Sequence, residues 1–166
     1  MKNILTFILF SFLIIPLIQI NAQETEDKNS EEAAHKKDPG LEIVLSNLFV
    51  YNSESENFDP ATELHITYWT THKWAFGVGY SIVFEENNRI GHELAALVSH
   101  KPWSFLTVNI GPSFSLPNSH NDTEVSAYIE GEFNFKLGEF HIGPLIGTLI
   151  GENVRPFAGI HIGYEF

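Results

Sequence analysis

The sequence predicts an all-β fold, an eight-stranded antiparallel up-and-down transmembrane β-barrel, on three observations. Beyond residue 40, apolar residues recur at every second position in one segment after another. The opposite face of these segments is rich in glycine, serine and glutamate and makes a poor solvated surface. The chain also opens on an apolar leader and contains no cysteine, which suits export without disulfides or thiolate metal sites.

Residues 1–22 run from Lys2 through an apolar stretch, Ile4 to Ile20, to the small residue Ala22. That order predicts a secretory signal peptide cleaved after Ala22. Ser11, Pro16 and Gln19 interrupt the run and argue against an uncleaved anchor. Removal of Lys2 leaves eight basic residues against 21 acidic ones, a net charge of about −13. Such acidity excludes nucleic acid as a partner, since phosphates need a basic footprint. Residues 23–40, QETEDKNSEEAAHKKDPG, are polar, carry both charge signs and offer no apolar face, and predict a disordered acidic periplasmic tail.

The strands follow from residue 41 onward. The first, LEIVLSNLFVY, alternates poorly. In ELHITYW, Leu64, Ile66 and Tyr68 oppose Glu63, His65 and Thr67. WAFGVGYSIVFE sets Trp74, Phe76, Val78, Tyr80, Ile82 and Phe84 against Ala75, Gly77, Gly79, Ser81 and Glu85, with Val83 the exception. HELAALVS opposes Leu94, Ala96 and Val98 to Glu93, Ala95 and Ser99, and FLTVNIGPSF opposes Leu106, Val108, Ile110 and Phe114 to Thr107, Asn109 and Ser113. EVSAYIEGEFNF sets Val125, Ala127, Ile129, Phe133 and Phe135 against Ser126, Tyr128, Glu130, Glu132 and Asn134. EFHIGPLIGTLI divides Phe140, Ile142, Ile146 and Ile150 from His141, Gly143 and Gly147. GIHIGYEF divides Ile160, Ile162, Tyr164 and Phe166 from Gly159, His161, Gly163 and Glu165. Pro112 and Pro144 interrupt two of these segments and are expected to make bulges or kinks, since proline gives no ladder hydrogen bond.

The connections alternate in length. TTHK, HKP and KLG are short; NSESENFDP, EENNRIG and SLPNSHNDT are longer, and GENVR is short. About 16 residues per strand and connection allow a tilted membrane strand of about 10 residues and its turn. Trp69, Trp74 and Trp103 flank the short turns, as do Phe135 and Phe140, which suits amphipathic rings at a membrane interface. Lys73, Lys101 and Lys136 in those turns are expected to face lipid headgroups.

On this pattern the stretch from Leu41 to Phe166 resembles the small eight-stranded outer-membrane barrels of Gram-negative bacteria, the OmpA-type transmembrane domain and the OmpX-like proteins. The resemblance implies that Ile160, Ile162, Tyr164 and Phe166 form the signal read by the outer-membrane assembly machinery. It implies outer-membrane lipids and lipopolysaccharide as further partners, a monomer, and no cofactor. Some small barrels of this kind are lipid A deacylases with a lipid-facing His-x-Ser. No His-x-Ser occurs here, so no enzyme is expected.

If the apolar parity faces lipid, the other parity fills the interior, which at eight strands is packed rather than open. The inward set is then Glu63, His65, Glu93, Glu124, Tyr128, Glu130, Glu132, Glu139, His141, His161 and Glu165, with Lys136 and Arg155 as the fixed cations. A two-residue turn at Leu137-Gly138 would set Lys136 opposite Glu139 and Asn134 opposite His141, and a three-residue loop after Gly151 would set His141 opposite Glu165. Glu63-x-His65 and Glu139-x-His141 each put two ligand types on one strand face, the pattern of a divalent-cation or proton site. A salt-bridge and hydrogen-bond network accounts for the same residues and is the favoured expectation, with no metal. The function expected is structural, adhesive or interactive, with a plugged lumen. The alternatives are a narrow pore for small cations or protons, and a soluble lipocalin-like ligand-binding barrel with its aromatic parity inward. Acidic loop residues Glu54, Glu56, Asp59, Glu85 and Glu86 are expected to hold cations bridging to lipopolysaccharide.

Overall fold

Nine β-segments follow one another in a computed structural model that describes residues 40–53, 56–85, 89–117 and 123–166. They are β1 (Leu41–Asn52), β2 (Asn57–Trp69), β3 (Trp74–Glu85), β4 (Arg89–Trp103), β5 (Leu106–Ser115), β6 (Val125–Phe133), β7 (Phe135–Leu137), β8 (Phe140–Ile150) and β9 (Val154–Glu165). The leader, residues 23–39 of the tail, Glu54 and Glu86 lie outside the described residues.

Sequence neighbours pair antiparallel from β1 through β6, and β8 pairs with β9. β6 and β7 both pair with β8, in one continuous register from Ala127↔Ile150 to Leu137↔Phe140. They are two pieces of a single barrel strand interrupted at Asn134, so the barrel has eight staves. β1 then pairs with β9, from Glu42↔Glu165 to Val50↔Phe157, and closes the sheet. Closure leaves no unpaired edge, the condition for placing backbone polar groups in hydrocarbon.

The parity of each strand decides its two faces. Leu64, Ile66, Tyr68, Phe76, Val78, Tyr80, Val98, Ile110, Ile129, Ile146 and Ile160 are all exposed on the outside. Glu63, His65, Thr67, Ser99, Asn109, Glu130 and Glu132 are buried inside. The soluble lipocalin-like alternative required the opposite assignment. β1 alternates poorly in sequence because its inner face is itself partly apolar: Val44, Leu48 and Val50 are buried beside Glu42 and Ser46.

The interior is layered. Leu48, Val50, Ala61, Val83, Ala95, Leu97, Tyr128, Leu145, Leu149 and Phe157 form one apolar cluster in the half of the barrel toward the longer connections. The buried charges Glu42, Glu132, His141 and His161 lie toward the short turns. Tyr128 joins the layers, its ring centroid 5.6 Å from that of Phe157 and its hydroxyl donating to Glu63 at 2.9 Å.

Several expected details change. The turn after β7 is Gly138-Glu139, one residue later than the sequence reading, because Gly138 takes a positive φ of 71° that suits glycine. Lys136 therefore faces His141 across the ladder instead of Glu139, and His141 faces Gly163 instead of Glu165. Lys136 and Glu139 are both exposed at the barrel end rather than in the lumen. Lys101 and Pro102, expected in a turn, belong to β4, and the turn is Ser104-Phe105. The register shift lies there, between His100 and Trp103, and not at Pro112, where the β4–β5 ladder has a gap but keeps its register. The pairs missing from the β6/β7–β8 ladder are Phe133 with Pro144, which has no N–H to give, and Asn134 with Gly143. The length asymmetry of the connections is also smaller, since β2 and β4 extend into the segments expected as loops. Asp59 is thereby a buried β2 residue and not a loop ligand.

Candidate functional site

Alternation along β1, β2, β4, β6, β8 and β9 brings the titratable side chains together inside the barrel. At the short-turn end, Lys101 Nζ lies 2.7 Å from Glu165 Oε1 and 3.5 Å from Glu42 Oε1. It also sits 4.0 Å above the ring of Trp69, whose Nε1 donates to Glu42 Oε2 at 2.6 Å. Thr67 donates to the same oxygen at 3.2 Å. Lys101 thus serves as an interior cation, the role expected of Lys136. Trp69 is 8% exposed and belongs to the lumen, whereas Trp74 and Trp103, at 48% and 60%, stand on the outer face as expected. The parity of ELHITYW already put Trp69 with Glu63, His65 and Thr67; the general preference of tryptophan for interfaces pointed the other way.

Deeper in the barrel, His65 lies between carboxylates. Its Nε2 is 3.1 Å from Glu63 Oε1, and its Nδ1 is 3.5 Å from Glu132 Oε1 and 3.8 Å from Glu130 Oε1. Asn109 Nδ2 donates to Glu130 and to Glu132, each at 2.9 Å, and Ser81 donates to Glu63 at 2.6 Å. With a proton on each nitrogen, an imidazole so flanked is a cation shared by the acids on either side. At the opposite mouth, Arg155 Nη1 holds Glu93 Oε1 at 2.7 Å, and Glu124 accepts from the backbone N–H of Glu152 at 3.0 Å.

Between the Lys101 and His65 groups lie His141 and His161, with ring centroids 5.4 Å apart. Both begin the tripeptide His-Ile-Gly, at residues 141–143 and 161–163, and β8 and β9 pair these tripeptides with each other. His141 faces Gly163, Ile142 faces Ile162, and Gly143 faces His161. Each histidine thereby has a glycine across the ladder, and a Cβ on Gly163 would collide with the His141 ring. The repeated tripeptide was visible in the sequence; its self-pairing needed the three-residue loop 151–153, which sets Ile150 opposite Val154. Asn134, at the interruption of the sixth stave, bonds Thr107 Oγ1 at 2.8 Å through Nδ2 and His161 Nε2 at 3.0 Å through Oδ1.

Of the residues singled out from sequence, Glu63, His65, Glu130, Glu132, His141 and His161 are drawn together. Glu165 joins them through Lys101 and Glu42. Glu93 and Arg155 pair separately at the other mouth, and Glu139 is outside, where it accepts from the Tyr164 hydroxyl at 2.7 Å. Glu42 and Lys101 were not singled out for the lumen. Glu42 was hidden in the strand with the poorest alternation, and Lys101 by its expected place in a turn, although it continues the inward parity of Glu93, Ala95, Leu97 and Ser99. On the outer face of β9, Ile160, Ile162 and Phe166 are exposed and Tyr164 is half-buried between Phe140 and Phe166.

No protein-family model and no curated protein matches the sequence. Solved structures do match the fold. The N-terminal β-barrel domain of OprF from Pseudomonas aeruginosa superposes with a TM-score of 0.59 at 13% identity, over 77% of this chain and 99% of that one. A de novo designed transmembrane β-barrel gives 0.52 at 17% identity, over 79% and 99%. Ail, the attachment invasion locus protein of Yersinia pestis, gives 0.48 at 14% identity, over 77% and 97%. The chain has the fold of the small eight-stranded transmembrane β-barrels.

Proposed function

We propose that this chain is an outer-membrane barrel with a plugged lumen and a structural, adhesive or interactive role, acting as a monomer and without catalysis. One observation carries the reading. Large apolar side chains stand outward on every stave of a closed sheet, among them Phe49, Ile66, Phe76, Val98, Ile110, Ile129, Ile146 and Ile160. Water makes no use of such a surface, whereas a bilayer requires one. The aromatic residues Tyr68, Trp74, Trp103, Phe105, Phe135, Phe140 and Phe166 crowd the short-turn end, and Phe49, Phe58 and Phe84 the other, in the manner of two interfacial girdles. The partners in this reading are membrane lipid and lipopolysaccharide. The outer face of β9, with Ile160, Ile162, Tyr164 and Phe166, is what the assembly machinery would grip.

The experiment is folding by solvent. Residues 23–166, refolded from urea, are expected to gain β-sheet circular dichroism and heat-dependent gel mobility only in detergent or lipid vesicles. A monomer that folds in plain buffer sinks the membrane reading.

A further inference from the structure

We propose that Glu132, His141 and His161 bind one divalent transition-metal ion of the zinc type inside the barrel. Their nearest donor atoms all lie within 4.8 Å of one another, and all three residues are buried. Two ligands each about 2.1 Å from an ion span at most about 4.2 Å, so small side-chain rotations bring the set onto a common centre.

The decisive feature is the state of the two imidazoles. Asn134 turns its Nδ2 to Thr107 Oγ1 and its Oδ1 to His161 Nε2, and against an amide oxygen that nitrogen is the one that carries the proton. His161 Nδ1 is left as a bare lone pair, buried and without a hydrogen-bond partner. His141 Nε2 is likewise buried without a hydrogen bond, with Glu42 Oε1 3.7 Å away. A buried polar atom with no partner costs about 1–3 kcal/mol. A metal ion uses both lone pairs at once.

The surroundings have the form of an outer ligand shell. Metal-bound histidine typically donates its second nitrogen to an oxygen acceptor, as His161 does to Asn134, and a ligating carboxylate is itself hydrogen-bonded, as Glu132 is by Asn109. Imidazole with carboxylate favours zinc and its neighbours over calcium or magnesium, which prefer oxygen alone. The Glu63–His65–Glu130 group also holds two buried atoms without hydrogen bonds, His65 Nδ1 and Glu130 Oε2, but it offers one imidazole where the chosen set offers two, and that ring has carboxylates within 3.5 Å of both nitrogens. The ion also adds positive charge to an interior whose fixed cations, among the described residues, are Lys101 and Arg155. The site is independent of the membrane reading, since it would load in detergent whatever the barrel's location.

The test uses the barrel refolded in chelator-treated detergent solution. Zinc titration by calorimetry, with metal analysis after gel filtration, is expected to give one ion per chain. Cobalt substitution is expected to give visible absorption from nitrogen and oxygen ligands. His141→Gln and His161→Gln are each expected to weaken zinc binding at least about 100-fold, and Asn134→Ala about 10–100-fold. Glu63→Gln is expected to retain it. Heat-dependent gel mobility identifies the variants that fold. Absence of stoichiometric zinc from the wild-type barrel overturns the proposal, and so does full retention of zinc by a folded His141→Gln/His161→Gln barrel.

Discussion

Asn134 Oδ1 accepts from His161 Nε2 at 3.0 Å, across the point where the sixth stave is broken. Asn134 keeps the inward parity of Glu130 and Glu132, its backbone N–H donating to Phe105 O at 2.8 Å, and its one amide joins Thr107 of β5 to His161 of β9. Asn134→Ala removes both bonds inside a closed space. It is expected to lower the unfolding free energy of the metal-free barrel by about 1–3 kcal/mol, read from urea titration in lipid vesicles. An unchanged midpoint would mean that the amide is not part of the folded interior.

Lys101 is the cation shared by Glu42 and Glu165, and it is only 16% exposed. Lys101→Met leaves two carboxylates facing each other without a counterion. The expected loss is about 3 kcal/mol, the low end of what breaking a buried pair costs. Adding Glu165→Gln is expected to recover part of it, and the four-way comparison isolates the coupling. Trp69, which touches both Lys101 and Glu42, provides the fluorescence signal.

Val78 stands outward near the middle of β3, between Ile66 and Ala96. Val78→Lys is expected to cost about 2–4 kcal/mol in a bilayer. Ala75→Lys on the inner face, where the native residue is fully buried, is expected to block folding altogether. A lysine tolerated at position 78 would show that this face meets water.

The apolar layer is expected to stop conduction. Wild-type barrels in a planar bilayer should carry no steady current, and Tyr128→Ala, which removes the ring joining the apolar and charged layers, should admit small cations toward the carboxylates. Stable current through the wild-type barrel would favour the narrow-pore alternative.

Gly138 has a φ of 71° and open space around it. Gly138→Ala therefore tests backbone conformation alone, with an expected cost of about 1 kcal/mol. A loss several times larger would point to a packing role for this turn.

Which side chains face in or out was legible from period-two alternation alone, because a strand has only two faces. Trp69 shows that parity outranks residue type: its odd position put it inside although tryptophan favours interfaces. Height within the barrel was not legible. Whether His141 meets Asn134 or Lys136 on one side, and Glu165 or Gly163 on the other, depends on turn registers, and a two-residue error exchanges every cross-strand partner while leaving the parity intact. Glu139 was lost to the lumen for that reason, and the pairing of the two His-Ile-Gly tripeptides was missed. Lys101 continues the inward odd parity of Glu93, Ala95, Leu97 and Ser99, and was missed because His100-Lys101-Pro102 was read as a turn rather than as the end of β4. The apolar layer escaped notice where Leu97, Leu145, Leu149 and Phe157 broke the polar parity.

Closure of the barrel sets Glu42 directly opposite Glu165, two like charges on the last pair of strands to meet. Such a pair resists joining. The lysine that reconciles them comes from β4, on the other side of the lumen. At this one pair of a nine-residue seam, the repulsion is relieved only when the opposite wall has curled round to supply the lysine. The seam of the cylinder thus carries a charge that only the far wall can neutralise, so a defect in β4 is felt at the junction of the two chain ends.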